Sequence, residues 1–489
     1  MDYIQKLSDD LLRWIFSYLV TSTIILPPYL GDPRLHLMAV SLRWRRVILK
    51  SSNLWDTVVV LPSSSEVVLG LIKIAEHWLR VNSRDDRILS VFLLQPKHLA
   101  HGSRPGPRDS AFNGGGFSVV EDGILPAARC TEWFSCTLGT EHGIKSFFAI
   151  PPGQFDCLER LELSFPILPD QDLARTTTMM INQELPRFMA FQSSPHLRSV
   201  LISIKNGIHP LALRIPWWQL TKIDMRDTPL HPSIFFKVLS ASAPSLNDGS
   251  FTILFQKITC STSAPQETLP IVNPRFIQYL RLQLIDPSLN IGVFSRMHLT
   301  ALCHLRIDLD DQAGWIMSIY RDLVSESRDT LKSLVFSDAP SRPPLSNEAE
   351  GEHEFDGLFA MCPNLELMQL PIGLHIPRNT GDKIAEGILL PYLRILEVSS
   401  IVGVDILDMV ERRNELAYHH QGWIGSSKLD SGIPMRTGIY PAFFSGLLLH
   451  MLFENRSKVK LAEKCFRSSS SSQGTVLDIR YGSWANLAV

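Results

Sequence analysis

The chain has 489 residues, 45% of them hydrophobic and 20% charged, which is material for a large core and excludes a disordered chain. Lys plus Arg is 47 and Asp plus Glu is 49, a formal net charge of -2 that offers no electrostatic footprint for nucleic acid or an anionic membrane. The length exceeds one ordinary domain and fits a small unit followed by a repeat array. The seven cysteines are scattered, with no Cys-x-x-Cys, and read as reduced, buried, small hydrophobes of an intracellular protein.

The opening MDYIQKLSDD has no basic segment leading into an apolar one, so no secretory signal is expected. From Leu7 to Leu19 apolar residues fall at Leu11, Leu12, Ile15, Phe16 and Leu19, the spacing of an amphipathic helix. Ser8 is placed to cap it, and Asp9 and Asp10 suit the positive end of its dipole. A Pro-rich break follows at 26–33. A second helical period then runs through Leu37, Val40, Trp44, Val47 and Ile48 to Leu54, Trp55 and the β-branched run Thr57–Val60. By spacing alone, the reading of these residues as the core of a helical lid on the repeat domain is favoured.

In order, Leu7-x-x-x-Leu-Leu-x-x-Ile-Phe-x-x-Leu19, Ala39-Val-Ser-Leu-Arg-Trp-Arg45 and Leu54-Trp55 resemble the F-box motif, with Trp44 and Trp55 eleven residues apart. Ser8, Asp10 and Ser41 stand where such boxes have proline, glutamate and cysteine, and the loop from Val20 to Arg34 is long, as in many fungal members. The resemblance implies a helical module that docks a Skp-family adaptor on a cullin scaffold. Its implied contacts are Leu7, Leu11, Leu12, Ile15, Phe16, Leu19, Val40, Trp44, Leu54 and Trp55. A module this small carries more large apolar side chains than it can hide, which suits a partner surface.

Residues 61–150 read as a linker and N-terminal cap region with a flexible Gly/Pro/Arg-rich loop at 101–116. Over 151–400 the pattern Leu-x-x-Leu-x-Leu recurs, with apolar replacements, from Leu158, Leu197, Leu220, Ile277, Leu302, Leu331, Leu365 and Leu393, with a weaker copy at Leu246. From Leu197 onward the steps run from 23 to 34 residues. Leucine-rich repeats take about 20–29, so some copies carry insertions. Helical returns are expected at Ile234–Leu239 and Ile316–Val324, and a closing helix at Asp405–Arg413. The array resembles the degenerate repeats of fungal F-box/leucine-rich-repeat proteins. The asparagine that normally follows the strand is missing in every copy, replaced for example by Lys205, Thr228 and Ile285. A generic α/β domain with leucine-rich strands is the competing description.

The strand positions between the leucines should line one face. They include Arg160, Glu162, Lys222, Asp224, Arg226, Tyr279, Arg281, His304, Arg306 and Asp308, with Gln369 and Glu397 further on. Their balanced charge suits a mixed protein surface and makes them the substrate-binding candidates. Residues 401–489 read as a C-terminal helical cap and tail. The apolar run Ile439–Phe453 is shorter than the ~20 residues of a spanning helix and reads as a buried helix.

Catalytic patterns are missing. There is no Walker loop, no Gly-x-Ser-x-Gly, no His-Glu-x-x-His and no complete calcium loop, and Cys303 and His304 are neighbours on a predicted strand, which puts them on opposite faces. The expected fold class is α/β, an N-terminal F-box helical module at 1–60 followed by an irregular leucine-rich-repeat solenoid. The expected function is a non-enzymatic substrate adaptor of an SCF-type ubiquitin ligase, cytoplasmic and/or nuclear. Its partners would be a Skp-family adaptor, a cullin scaffold and a target protein, without catalytic residues, metal or cofactor, and without nucleic acid or membrane. The alternative is a ligase-independent protein-binding repeat module with a vestigial F-box.

Overall fold

The structure is a computed structural model that describes residues 6–20, 23–26, 31–51, 54, 57–60, 89–93, 131–138, 144, 147–166, 188–205, 208–255, 269–285, 291–310, 317–338, 354–371, 376–398, 409, 412–413, 416 and 448–451. Two compact units divide the chain, Met1–Pro229 and Leu230–Val489.

The first unit opens with helices α1 (Asp9–Leu19), α2 (Pro33–Val40) and α3 (Leu42–Lys50). Each start is capped by a side chain. The Ser8 hydroxyl accepts from the Leu11 N–H, Asp32 accepts from Arg34 ahead of Pro33, and Ser41 ends α2 while accepting from the Trp44 N–H to begin α3. Leu12, Phe16 and Val20 from α1 bury against Val47, Ile48 and Leu54, with Leu7, Ile15, Leu37, Met38 and Trp44 packed around them. The Phe16 and Trp44 rings meet edge-on at 4.9 Å. Arg34 and Asp32 form a buried ion pair at 2.8 Å, and Arg34 Nε donates to the Leu54 carbonyl at 3.0 Å, fastening the start of α2 to the chain after α3.

Strands follow in register. In the first unit β1 (Thr23–Leu26), β2 (Thr57–Val60), β3 (Leu89–Leu93), β4 (Thr131–Thr137), β5 (Arg160–Phe165), β6 (Ser199–Ile204) and β7 (Lys222–Leu230) pair in sequence, all parallel. In the second unit β8 (Asp248–Leu254), β9 (Tyr279–Ile285), β10 (His304–Asp310), β11 (Ser333–Asp338), β12 (Leu367–Leu370), β13 (Ile395–Val398) and β14 (Leu448–Met451) do the same. Helix α4 (Pro232–Ser242) precedes β8, and α5 (Met317–Ser325), α6 (Glu354–Ala360) and α7 (Arg378–Ala385) lie between strands of the second unit. The fold is mixed α/β, one parallel strand per repeat, and the predicted returns at 234–239 and 316–324 are α4 and α5.

The leucine pattern marks the buried columns. Leu161, Val200 and Ile223 stand in register in one unit, and Leu280, Leu305, Leu334, Met368 and Leu396 in the other, all at most 2% exposed. The residue after the first leucine or isoleucine has a recurring task in the copies from Leu158, Leu197, Leu246, Ile277, Leu302, Leu331 and Leu365. Its carbonyl accepts from two successive N–H groups of the next copy: Glu159 from Arg198 and Ser199, Gln278 from Cys303 and His304, Cys303 from Lys332 and Ser333, Lys332 from Glu366 and Leu367, and Glu366 from Arg394 and Ile395. Side chains reinforce the same step. Gln219 donates to the Ser194 and Leu197 carbonyls, Thr330 to the Leu302 carbonyl, and Asn364 to the Asp329 carbonyl. At one of the positions where strict repeats carry asparagine, buried Thr228 donates to the Ile202 carbonyl at 2.8 Å and accepts from the Ile204 N–H at 2.7 Å.

Three boundaries differ from the sequence reading. The ladder is not confined to 151–400: β1 sits inside the long loop after α1, and β3 and β4 sit in the stretch read as linker. Thr131, Phe134 and Cys136 form a further copy, with Phe134 opposite Leu161 and Cys136 opposite Leu163; threonine and cysteine in place of leucine hid it. The apolar run read as a buried helix contains β14, because a short apolar run has no period that separates strand from helix and pairing with β13 decides. Of the closing helix at 405–413, Met409, Arg412 and Arg413 are helical and the remainder lies outside the described residues. The loop at 101–116 also lies outside them. Arg413 is fully buried and donates to the carbonyls of Ile384, Leu390, Pro391 and Leu393, and burial pushes its pKa down to about 10. Among the described cysteines Cys136 and Cys362 are buried, which pushes the Cys362 thiol up to about 12, whereas Cys157 is exposed, contrary to expectation.

Two identical substitutions should move stability in opposite directions. Thr228→Val strands a buried N–H and a buried carbonyl and should cost about 2 kcal/mol. Thr131 is equally buried, but its hydroxyl has no partner among the described residues. Thr131→Val should therefore stabilise, by up to about 1 kcal/mol. Urea unfolding of both variants checks the pair; shifts of the same sign would contradict this account of the ladder.

Candidate protein-binding surfaces

Two surfaces remain once the core has been assigned. The first is on the helical module. Helix α1 carries two apolar stripes rather than one wide one. Leu12, Phe16 and the following Val20 face inward, whereas Leu11, Trp14 and Tyr18 recur at helical spacing on the outside, with Tyr18 73% exposed. Trp14 and Tyr18 lie edge-on at 4.8 Å. Leu19, and Val40 and Leu42 at the junction of α2 and α3, are exposed as well, Val40 by 61% and Leu42 by 69%. So many large apolar side chains in the open on one small module mark a place where another surface fits.

The expected contact positions therefore divide. Leu11, Leu19 and Val40 are accessible. Leu12, Phe16 and Leu54 are at most 1% exposed and build the module's own core, so no partner reaches them. Leu7, Ile15 and Trp44 are half-buried against that core. Trp55 lies outside the described residues. Trp14, Tyr18 and Leu42 were not singled out from sequence, although the i, i+3, i+7 step through Leu11, Trp14 and Tyr18 was there to be read.

The second surface is the strand face opposite the buried columns. In the first unit its charges close along their own strands: Arg160 meets Glu162 at 2.7 Å and lies over the Trp133 ring at 4.2 Å, and Arg226 forks onto Asp224 at 2.7 Å. Lys222 stands exposed in register with Ser199. Near the start of this face Glu132 and Glu159 are hydrogen-bonded. Partial burial, followed by the charge and hydrogen bond of Glu159, raises the Glu132 pKa.

In the second unit the predicted residues converge across strands. Tyr279 and His304 stand opposite each other on β9 and β10 with rings stacked at 4.5 Å and only 4° apart. Arg281 and Arg306 are the next opposed pair. Like charges directly opposite each other repel. Here the Asp308 carboxylate joins them, taking Arg281 Nε at 2.6 Å on one oxygen and Arg306 Nε at 2.8 Å on the other. Gln283, in register with Asp308, accepts from Thr252 at 3.1 Å. Lys332 and Glu366 pair at 3.5 Å nearby. Burial first, and the Lys332 charge second, lower the His304 pKa, with Glu366 opposing, which favours the uncharged ring. Gln369 and Glu397 face each other on β12 and β13 in the same register row as Arg281 and Arg306, with Val335 of β11 between.

Among the described residues no group of three or more His, Cys, Asp or Glu could hold a metal ion, and no helix is long and apolar enough to cross a membrane. No family model and no curated protein matches the chain. It is similar to a chain in the crystal structure of the Rad7 and Elc1 complex in yeast, at 14% identity over 81% of this chain and 90% of that one, with a TM-score of 0.30. A likeness at that score carries no functional argument.

The Glu132–Glu159 contact makes a pH prediction. A carboxyl whose folded pKa is raised destabilises the fold when it is ionised, and that penalty disappears as pH falls through the raised pKa. Glu132→Gln should therefore raise the melting temperature at pH 7, and the gain should shrink as pH is lowered into the carboxylate range. Thermal melts across that range check it; a gain that grows on acidification would contradict it.

Proposed function

We propose that the chain is the substrate-recognition adaptor of an SCF-type cullin ubiquitin ligase. In this reading residues 1–60 are an F-box that docks a Skp-family adaptor, and the parallel repeats are degenerate leucine-rich repeats that hold a target protein. The observation that carries the reading is the outward apolar set of Leu11, Trp14, Tyr18, Leu19, Val40 and Leu42 on a module whose own core is already complete without them. Such a surface is what a helix-binding partner covers. The ordered Leu-Leu, Ile-Phe and Trp residues that resemble the F-box set up that division.

The chain carries no covalent step of its own. Holding a target beside a charged ubiquitin-conjugating enzyme raises the effective concentration of a target lysine, and catalysis follows from proximity. The site of action is the cytoplasm or nucleus, where the adaptor and cullin would be met.

Point substitution is a cleaner test than deletion, because removing residues 1–60 would also remove β1 and β2 from the ladder. Ile15 and Trp44 are poor targets because they pack on the core. Leu11→Glu and Leu42→Asp are better. Glutamate at position 11 completes a capping box with Ser8, and aspartate at the first residue of α3 suits the helix dipole, so both favour the helices. The full chain co-expressed with a Skp-family adaptor should co-purify one to one. The double variant should fold with an unchanged or higher melting temperature and lose at least about tenfold in adaptor affinity, since two anchors at about 1–2 kcal/mol each are replaced by charge. Undiminished binding by the folded double variant would sink the F-box reading.

A further inference from the structure

The cluster on β9 and β10 has more positive charge than its own partner neutralises. Arg281 and Arg306 present two guanidinium groups, each tied by Nε to the one carboxylate of Asp308. Neither arginine has any other hydrogen-bond partner among the described residues, so their terminal Nη groups are open to a ligand. Both side chains are about one-third exposed, Arg281 by 33% and Arg306 by 38%, so the forks are accessible while their stems are fixed. Lys332 and Glu366 cancel each other. Two guanidiniums against the one carboxylate that bridges them leave a single positive charge on this trio, with Asp248 of β8 the next acid on the face, opposite Tyr279. Beside it the parallel Tyr279 and His304 rings offer a flat platform, with Tyr279 47% exposed.

We propose that Arg281 and Arg306 form a subsite for a glutamate or aspartate side chain of an unmodified acidic peptide segment. A guanidinium fork matches a carboxylate in two parallel hydrogen bonds. The charge count selects the ligand class. A carboxylate monoanion brings the Arg281–Arg306–Asp308 trio to neutrality. A phosphate dianion would overfill it and lie against Asp308. The Tyr279–His304 platform then accepts the neighbouring residue of the segment. The inference rests on the adaptor reading only in calling such a peptide a substrate.

The probe is an oriented peptide library with a fixed central glutamate and degenerate flanks, compared with the same library carrying glutamine or phosphoserine at that position, each passed over the full-length chain. The glutamate library should be retained about tenfold or more over the glutamine library, the value of one charge-assisted hydrogen-bond pair, and high salt should erase the difference. Arg281→Gln with Arg306→Gln should bring glutamate retention down to the glutamine level. Asp308→Asn should act in the other direction and raise it, a gain that misfolding cannot produce. Equal retention of glutamate and glutamine by the unaltered chain, or stronger retention of phosphoserine, would overturn the proposal. Adaptor co-purification and glutamate retention measured side by side on the unaltered chain separate the two readings. Glutamate preference without adaptor binding would leave this subsite standing and sink the adaptor role; adaptor binding without glutamate preference would do the reverse.

Discussion

From repeat to repeat within each unit one backbone carbonyl accepts two consecutive N–H groups of the next, at Glu159, Arg198, Asn247, Gln278, Cys303, Lys332 and Glu366, and this shared bond sets the register on which the rest of the array depends. It falls at the same step, after the first leucine or isoleucine of those copies. With the register fixed there, Leu280, Leu305, Leu334, Met368 and Leu396 must stack into one buried column, because a slip of one residue would turn each of them outward. The same constraint sets the open face. Arg281 meets Arg306 and Tyr279 meets His304 because the leucines on either side of them are already aligned. Gln219, Thr228, Thr330 and Asn364 reinforce the step without the regular asparagine of strict repeats.

Much of this was legible in the residues. The leucine spacing located β5 to β13, since only inward positions must be apolar and only their period survives degeneration. It failed where chemistry replaced shape: Thr131 and Cys136 fill leucine positions in β4, and β1 lies in a stretch with no such pattern before it. It failed again at β14, where an apolar run carries no period. The sequence could name Tyr279, Arg281, His304, Arg306 and Asp308 as a face. It could not show that one aspartate serves both arginines, because that depends on the stagger between β9 and β10. Nor could it show that Arg160 and Arg226 are satisfied along their own strands while Arg281 and Arg306 are linked across two.

The helical module shows the same limit from the other side. Its apolar residues were recognised, but their allocation was not. Helix α1 has apolar side chains on more than one face, so periodicity alone cannot say which stripe is core. Packing decides: Phe16 against Trp44, and the Arg34–Asp32 pair fastening α2 to Leu54, close the core with Leu12 inside and Leu11 outside. A small module that completes its core and still exposes Trp14, Tyr18, Val40 and Leu42 keeps that surface at a cost in solubility, which docking would remove.

Amide hydrogen exchange on the full chain, alone and with a saturating Skp-family adaptor, tests the central claim most directly. Docking through the outward stripe predicts slowed exchange over residues 11–19 and 40–49, with the strands of both units unchanged. Unaltered exchange in those helices, or protection confined to the repeat strands, would contradict it.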